Sequence, residues 1–374
     1  MSNVKKPVLK NTLIGIAVGT AATRYLDQVN QKYPLRAPSQ QLINLALDRT
    51  LGIARRKSKF SLDEDSRYII FSDHHKGAGD EADDFLPCKK TYKAALDYYD
   101  EEGYTLILLG DVEELWENKI QEVIKQHEDV FQWEARFLPD RYIRIIGNHD
   151  NLWNDPTAVD KYLIPLCPGL RLRQGLVFEY DDGTLFGEFF LAHGHQGTLD
   201  SDILTGISPH LLPTYRRLQN KLHIGHTTPA TNDCLRSKHD TKMYRWASQK
   251  RKLIFIAGHT HRPVWSSLTH LDQLYMELYA LRLQKEELGE EEYLRQLKEQ
   301  LHKINKRMIK EPPVDEIRKT APCYFNTGCC RYSDGDITGI EITGETISLV
   351  KWDRNSLDRM EPVSMPIADL FALL

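Results

Sequence analysis

This chain has few cysteines, no apolar run of membrane-spanning length and no dominant charge. Its six cysteines (Cys88, Cys167, Cys234, Cys323, Cys329 and Cys330) include no C-x-x-C pair. That pattern argues against a disulfide framework or a zinc knuckle and for buried or free thiols in a reducing compartment. The N-terminal apolar run, Leu13 to Ala22, is shorter than the about 20 residues needed to span a bilayer. Lys5, Lys6 and Lys10 before it give it the outline of an export signal, but no small-x-small cleavage site follows and Gly15 and Gly19 weaken it as a helix. The expected location is the cytoplasm, with this N-terminal arm as a peripheral membrane contact. A net charge of -4 and a pI near 6.4 give no global electrostatic case for nucleic acid, and none is expected as a partner.

What the chain does have is a globular composition, 41% hydrophobic and 27% charged, and enough length at 374 residues for one large domain with insertions. Residues 1–60 read as a helical arm: the apolar run, a loop through Pro34 and Pro38, and a helix capped by Ser39 that carries Leu42, Leu45, Ala46, Leu47 and Leu51 and ends in a basic tail. From 61 to 374 short apolar strands alternate with helical stretches, an α/β rhythm: Arg67 to Ser72, Thr105 to Leu109, Arg141 to Ile146, Leu185 to Ala192 and Leu253 to Ala257. The rhythm breaks at about 268–312. There Leu271, Leu274, Leu278 and Leu281, then Leu294, Leu297, Leu301, Ile304 and Met308, follow three-four spacing around Leu288-Gly289-Glu290. This is an inserted helical hairpin, because strands return at Cys323 to Asn326, Ile337 to Ile342 and Thr346 to Trp352. Its base follows His261, so it is expected to shape access to whatever that residue serves.

Each of the first five strands runs straight into a polar string: Asp73-His74-His75, Gly110-Asp111, Gly147-Asn148-His149-Asp150, His193-Gly194-His195 and Gly258-His259-Thr260-His261. Ligand sites in α/β sheets form beyond the carboxyl ends of strands, so the five can converge on one crevice. They hold Asp, Asn and His but no Cys, a donor set suited to Mn²⁺, Fe or Zn²⁺ and not to a thiolate zinc site. A carboxylate such as Asp111 can bridge two cations about 3.5 to 4 Å apart, the spacing of two-metal hydrolases.

In their order and spacing these strings closely resemble the calcineurin-like metallophosphoesterase family, whose D-x-H, G-D-x-x-D/E, G-N-H-D/E, H-G-x and G-H-x-H appear complete between Arg67 and Gly328. The resemblance implies a four-layer sandwich, two central mixed sheets flanked by helices, with the hairpin inserted. It implies two divalent ions, manganese first and Fe or Zn²⁺ as alternatives: one on Asp73, His75, Asp111 and His261, the other on Asp111, Asn148, His193 and His259. His193 is preferred to His195 as the ligand of the H-G-H string. His149 is left as a catalytic residue that contacts the phosphoryl oxygen or protonates the leaving group, with Glu114 orienting it. The implied reaction is hydrolysis of a phosphomonoester or phosphodiester by a metal-bridging hydroxide.

The expected substrate is a phosphorylated small molecule or lipid. Leu108 to Glu114, His193 to Asp200 and Gly258 to Pro263 resemble the branch containing UDP-diacylglucosamine pyrophosphatases, and a partly basic stretch (Arg216, Arg217, Lys221, Arg236, Lys238, Lys242, Arg245) could cap an anionic substrate. Against that branch stand His149, where those enzymes generally carry arginine, and the hairpin, which they lack. A silent binding scaffold should be missing metal ligands, and none is missing; a nuclease should show a continuous basic groove. The remaining histidines, His74, His127, His210, His223, His226, His239, His270 and His302, read as ordinary core or surface residues.

Overall fold

Strand residues of this chain alternate between two apolar faces, which only a sheet covered on both sides can accommodate. In the computed structural model, which describes residues 39–197, 233–268, 270–283, 289–310 and 320–374, the elements in chain order are α1 (Gln40–Lys57), β1 (Lys59–Leu62), β2 (Arg67–Phe71), α2 (Lys89–Glu101), β3 (Thr105–Leu109), α3 (Ile120–Gln126), α4 (Glu128–Ala135) and β4 (Tyr142–Ile145). There follow β5 (Leu172–Arg173), β6 (Leu176–Asp181), β7 (Phe186–Leu191), α5 (Asp233–Ala247), β8 (Leu253–Ala257), β9 (Pro263–Val264), α6 (His270–Leu283) and α7 (Glu290–Lys310). The chain closes with β10 (Tyr324–Thr327), β11 (Ile337–Thr343), β12 (Thr346–Trp352), β13 (Arg359–Pro366) and α8 (Ile367–Ala372).

The strands form two mixed sheets, ordered β13-β12-β11-β2-β3-β4-β5 and β1-β6-β7-β8-β10-β9. In the first, β2, β3, β4 and β5 run parallel while β11, β12 and β13 form an antiparallel flank. In the second, β7, β8 and β10 are parallel. Between the sheets lie Ile70, Ile107, Leu109, Ile145, Phe189, Ile254, Ile256 and Phe325. Their strand neighbours point outward: Ile69, Phe71, Leu106 and Leu108 meet Tyr92 and Leu96 of α2, whereas Phe190 and Phe255 meet Leu47 of α1 and Trp246 of α5. The result is the expected four-layer α/β sandwich.

Helix α1 starts where expected: the Ser39 hydroxyl accepts a hydrogen bond from Leu42 N at 3.2 Å. It lies on the second sheet through Ile43, Leu47, Leu51 and Ala54, a clean three-four stripe. Leu42 and Leu45, counted among its apolar positions from sequence, face outward at 45% and 70% exposure. The N-terminal apolar run, the Arg216, Arg217 and Lys221 part of the basic stretch, and His210, His223 and His226 lie outside the described residues. Among the described residues no helix is long and apolar enough to cross a membrane. Cys88, Cys167, Cys323, Cys329 and Cys330 are all buried free thiols, as expected.

Helices α6 and α7 pair as the expected hairpin, burying Leu271, Leu274, Leu278 and Ile304 with Leu297 and Met308 against them. Gln300 closes the seam by donating to Leu274 O at 2.8 Å. Leu294 and Leu301, one heptad apart, stay exposed because a single partner helix covers only one side of the α7 stripe. This small core is separate from the three cores of the sheets. Replacement of 271–308 by a short Gly/Ser linker is therefore expected to leave a sheet domain that unfolds in one cooperative transition; a deletion that loses that transition in thermal unfolding followed by circular dichroism shows the hairpin to be part of the main core.

Candidate metal centre

The strings that follow the strands are stitched to one another by backbone hydrogen bonds. Asp73 N donates to Gly110 O at 3.1 Å, His75 N to Asp111 O at 3.0 Å, Leu115 N to His149 O at 3.2 Å, and Gly258 N to His193 O at 2.9 Å. The two sheets are joined where the Asp73 carboxylate accepts from His259 N, with Oδ2 at 2.9 Å; within the first sheet Asp111 Oδ1 accepts from His149 N at 2.8 Å. Gly147 makes the second contact possible, since a Cβ there would lie 2.2 Å from Asp111 Oδ1.

Asp73, His75, Asp111, His259 and His261 all have left-handed backbone, with φ of 52°, 50°, 51°, 70° and 54°. For a residue with a Cβ that conformation costs about 1–2 kcal/mol. Concentrating it in five side chains that share one pocket is characteristic of sites where function overrides local preference.

The side chains converge in two sets. Asp73, His75 and His261 present donor atoms within 4.8 Å of one another, and Asp111, His193 and His259 do the same. In the first set His75 Nε2 faces His261 Nε2 at 3.2 Å, and Asp73 Oδ1 lies 3.1 Å from His261 Nε2. Asp111 Oδ2 stands between the sets, 2.9 Å from His193 Nε2 and 3.8 Å from His75 Nε2. Two ring orientations are fixed from behind: His75 Nδ1 donates to Glu114 Oε2 at 2.9 Å and His193 Nδ1 to Leu109 O at 2.8 Å, so both rings turn Nε2 toward the pocket, where it is a ligand atom once the ring is neutral. Asn148 Oδ1 and His259 Nε2 are buried without a hydrogen-bond partner. Each such orphan costs about 1–3 kcal/mol, and a divalent cation is a partner that fits both a neutral amide oxygen and an imidazole nitrogen.

Electrostatics follow the same division. Burial pushes the Asp73 and Asp111 carboxyls up, but neighbouring histidines, His261 and His193 at Asp73 and His193 and His149 at Asp111, overcome it and hold both below the usual range. Burial lowers His261 to about 3 and drives His259 well below the usual histidine range, so both stay neutral. At His193 burial is outweighed by the Asp111 and Asp73 charges, which raise it to about 9.

His149 is in neither of these sets but in a third group, with His75 and Glu114, whose donor atoms also lie within 4.8 Å of one another. Its Nδ1 lies 2.6 Å from Glu114 Oε2, its ring is stacked on Trp116 at 3.9 Å, and its side chain is 20% exposed. Burial lowers its proton affinity, but the Glu114 and Asp111 carboxylates reverse the effect and raise it above the usual value. His193 rather than His195 joins the Asp111 set; His195 is lowered to about 3, first by burial and then by His193 beside it. Outside the site, His74 packs against Phe85 and Tyr92 and His127 pairs with Asp83 at 2.7 Å; His239, read from sequence as an ordinary residue, instead borders the site, with its ring 5.1 Å from that of His259 and its Nε2 2.9 Å from Gly194 O.

Sequence reasoning assigned no role to the layer of buried charge beneath the pocket. Arg144 pairs with Glu113 and lies 3.8 Å from Asp150; Lys76 Nζ is 3.2 Å from Glu113 and 3.0 Å from Glu134. Asp150, raised to about 7 mainly by burial, accepts from Val112 N at 3.0 Å and Gly147 N at 2.6 Å and so ties two of the strings together. The signal was present: Lys76, Glu113 and Asp150 each flank a named site residue in its string.

A family model described as calcineurin-like phosphoesterase matches residues 66–263, more than half of the chain. No curated protein matches the sequence significantly. Among solved structures, a conserved protein of Streptococcus pneumoniae described as a predicted phosphoesterase is similar at 12% identity, over 81% of this chain and 97% of that one, with a TM-score of 0.29. Vacuolar Protein Sorting 29 of Cryptosporidium parvum is similar at 11% identity over 82% and 99%, with a TM-score of 0.30.

Removing one member of a buried ion network strands the others. Arg144→Ala is expected to destabilise the protein by about 3 to 5 kcal/mol, read as a shift of the urea midpoint. A midpoint at the wild-type value would mean that this layer does not support the loops above it.

Proposed function

Because the chain belongs to the calcineurin-like phosphoesterase family, we propose that it hydrolyses a phosphomonoester or phosphodiester at a dinuclear metal centre. The observation that carries this reading is the pair of donor sets on either side of Asp111 Oδ2. One ion is assigned to Asp73, His75, Asp111 and His261, the other to Asp111, Asn148, His193 and His259. Two divalent cations there, manganese in the first instance and Fe or Zn²⁺ otherwise, would supply the charge that polarises a phosphoryl group and eases deprotonation of water.

The chain's own residues do the rest. Glu114 holds His75 and His149 through one carboxylate oxygen, fixing both rings by the same contact. With Nδ1 engaged, His149 presents Nε2, and its partial exposure lets that nitrogen meet a phosphoryl oxygen or hand a proton to the departing alkoxide. Asn148 completes its set with a neutral oxygen and adds no negative charge to repel the phosphate.

The substrate is assigned as a phosphorylated small molecule or lipid, handled in the cytoplasm or at a membrane surface reached by the N-terminal arm. A UDP-diacylglucosamine-type pyrophosphatase is the second reading, on the string likeness alone. The histidine held by Glu114 at the position where that branch generally carries arginine favours the first. A binding scaffold is a weaker reading still, since every expected metal position carries a competent donor, and so is a nuclease, which the net charge of -4 disfavours.

The manganese-loaded protein assayed against phosphomonoesters, phosphodiesters, nucleotide sugars and lipid-linked pyrophosphates tests the proposal; turnover of none of them, with metal bound, would overturn it. Asp111→Asn is expected to abolish turnover nearly completely and to reduce bound metal, because it weakens the only group assigned to both ions. Two tightly held ions and most of the activity in that variant would contradict the assignment. His149→Ala should keep the metal content of the wild type while kcat falls about 100-fold or more, the size of a lost general acid. Loss of metal from His149→Ala would make it a ligand instead.

A further inference from the structure

The rule that led to the site, a strand followed at once by a polar string, applies to a sixth strand. Beyond β10 come Gly328, Cys329, Cys330 and Arg331. This turn is fastened to the metal centre on both sides of Arg331. Cys330 N donates to Ser72 O at 3.2 Å and to Asp73 O at 3.3 Å, and Tyr332 OH donates to His261 O at 3.5 Å. Cys329 and Cys330 are buried, whereas the Arg331 side chain is 26% exposed, so the cation stands at the rim of the pocket that its neighbours help to build.

A guanidinium carried by a turn that is hydrogen-bonded to Asp73 O on one side and to His261 O on the other adds positive charge to the rim beside the Asp73 set, where an anionic substrate would arrive.

In this structure the guanidinium is ion-paired with Asp84, on the loop between β2 and α2. Asp84 is itself 40% exposed. The residue before it is anchored inward: Asp83 Oδ2 accepts from Gly79 N at 2.9 Å and pairs with His127 at 2.7 Å. That anchor holds Asp84 opposite Arg331. A half-exposed ion pair is weak and exchanges easily, whereas a phosphoryl group offers the planar guanidinium fork two charged oxygens at once.

We propose that Arg331 binds the non-bridging oxygens of the substrate's phosphoryl group, and that Asp84 competes with the phosphoryl group for it. Asp84 thus sets how much anion affinity the pocket shows. This rests on the phosphoesterase reading above.

The test uses the manganese-loaded protein, with inorganic phosphate as probe in calorimetry and a small chromogenic aryl phosphate as substrate. Arg331→Ala should weaken phosphate binding about 10- to 100-fold and raise KM with it, while bound manganese stays at the wild-type level. Arg331→Lys, which keeps the charge but not the fork, should fall between. Asp84→Asn should act in the opposite direction, tightening phosphate by about 2- to 5-fold, as expected for removal of a weak competitor. If the pair is only a brace between two loops, both variants lower the melting temperature and neither moves phosphate affinity, and the proposal fails. It also fails if Asp84→Asn weakens phosphate as much as Arg331→Ala does. A wild type that turns over the ester while Arg331→Ala keeps its phosphate affinity overturns this inference alone; a wild type that takes up no manganese overturns the parent reading and this one with it.

Discussion

The contact on which the site depends is the one between the Asp73 carboxylate, at the end of β2 in one sheet, and the backbone amide of His259, after β8 in the other. Two sheets packed through an apolar core are held by a non-directional force, which fixes their separation but leaves their relative slide loosely specified. A charged acceptor on a buried backbone donor is directional and has a short optimum, so it sets the slide. Once Asp73 and His259 are in register, Asp111 and His193 meet, and so do His75 and His261. The left-handed backbone at five of these residues is what such closure demands: a strand that ended in extended conformation would carry its next side chains past the crevice.

Beneath this joint the protein buries Lys76, Glu113, Glu134, Arg144 and Asp150 where a larger apolar core could have stood. Buried ion pairs rarely add stability over well-packed hydrophobic side chains, because desolvation cancels most of the Coulomb gain. Their use here is directional. Glu113 receives Trp153 Nε1, Asp150 receives Val112 N and Gly147 N, and Glu134 receives Tyr142 OH. The first three of these bonds each pin a loop segment that apolar packing alone would leave free to shift by the fraction of an ångström that ligand geometry cannot tolerate, and the last ties α4 to β4 below them.

The architecture was largely legible from sequence, and so were the strings that carry the candidate donors, because both depend on local order. A short apolar run followed by Asp-x-His or Gly-His-x-His is visible without knowing any contact, and strands such as Thr105–Leu109 and Leu253–Ala257 fall where the pattern puts them. Features that depend on which face is covered were less legible. Leu45 and Leu47 of α1 are equally apolar, yet only Leu47 meets the sheet, and the same ambiguity separates Leu301 from Ile304 in α7. The buried charge layer was hidden for a related reason: a lysine or arginine in sequence looks solvated until its depth is known, and Lys76 and Arg144 are both fully buried. Arg331 required only that one more strand be read by the rule applied to the other five.

Depth also explains why the chemistry is easier to read than the substrate. The candidate donor atoms come from residues at most 7% exposed, so in the proposed reading their identities would answer to the ions and to one another, constraints shared by any phosphoester hydrolysed this way. Two of the side chains around the centre, His149 and Arg331, keep a fifth to a quarter of their surface open. Under the proposed reading a substrate would meet groups of that kind first, so what faces His149 and Arg331, and how firmly Glu114 and Asp84 hold them, would bear on selectivity. Short strings at strand ends do not encode those distances, since the groups that set them arrive from segments far apart in the chain, Asp84 from before α2 and Arg331 from beyond β10.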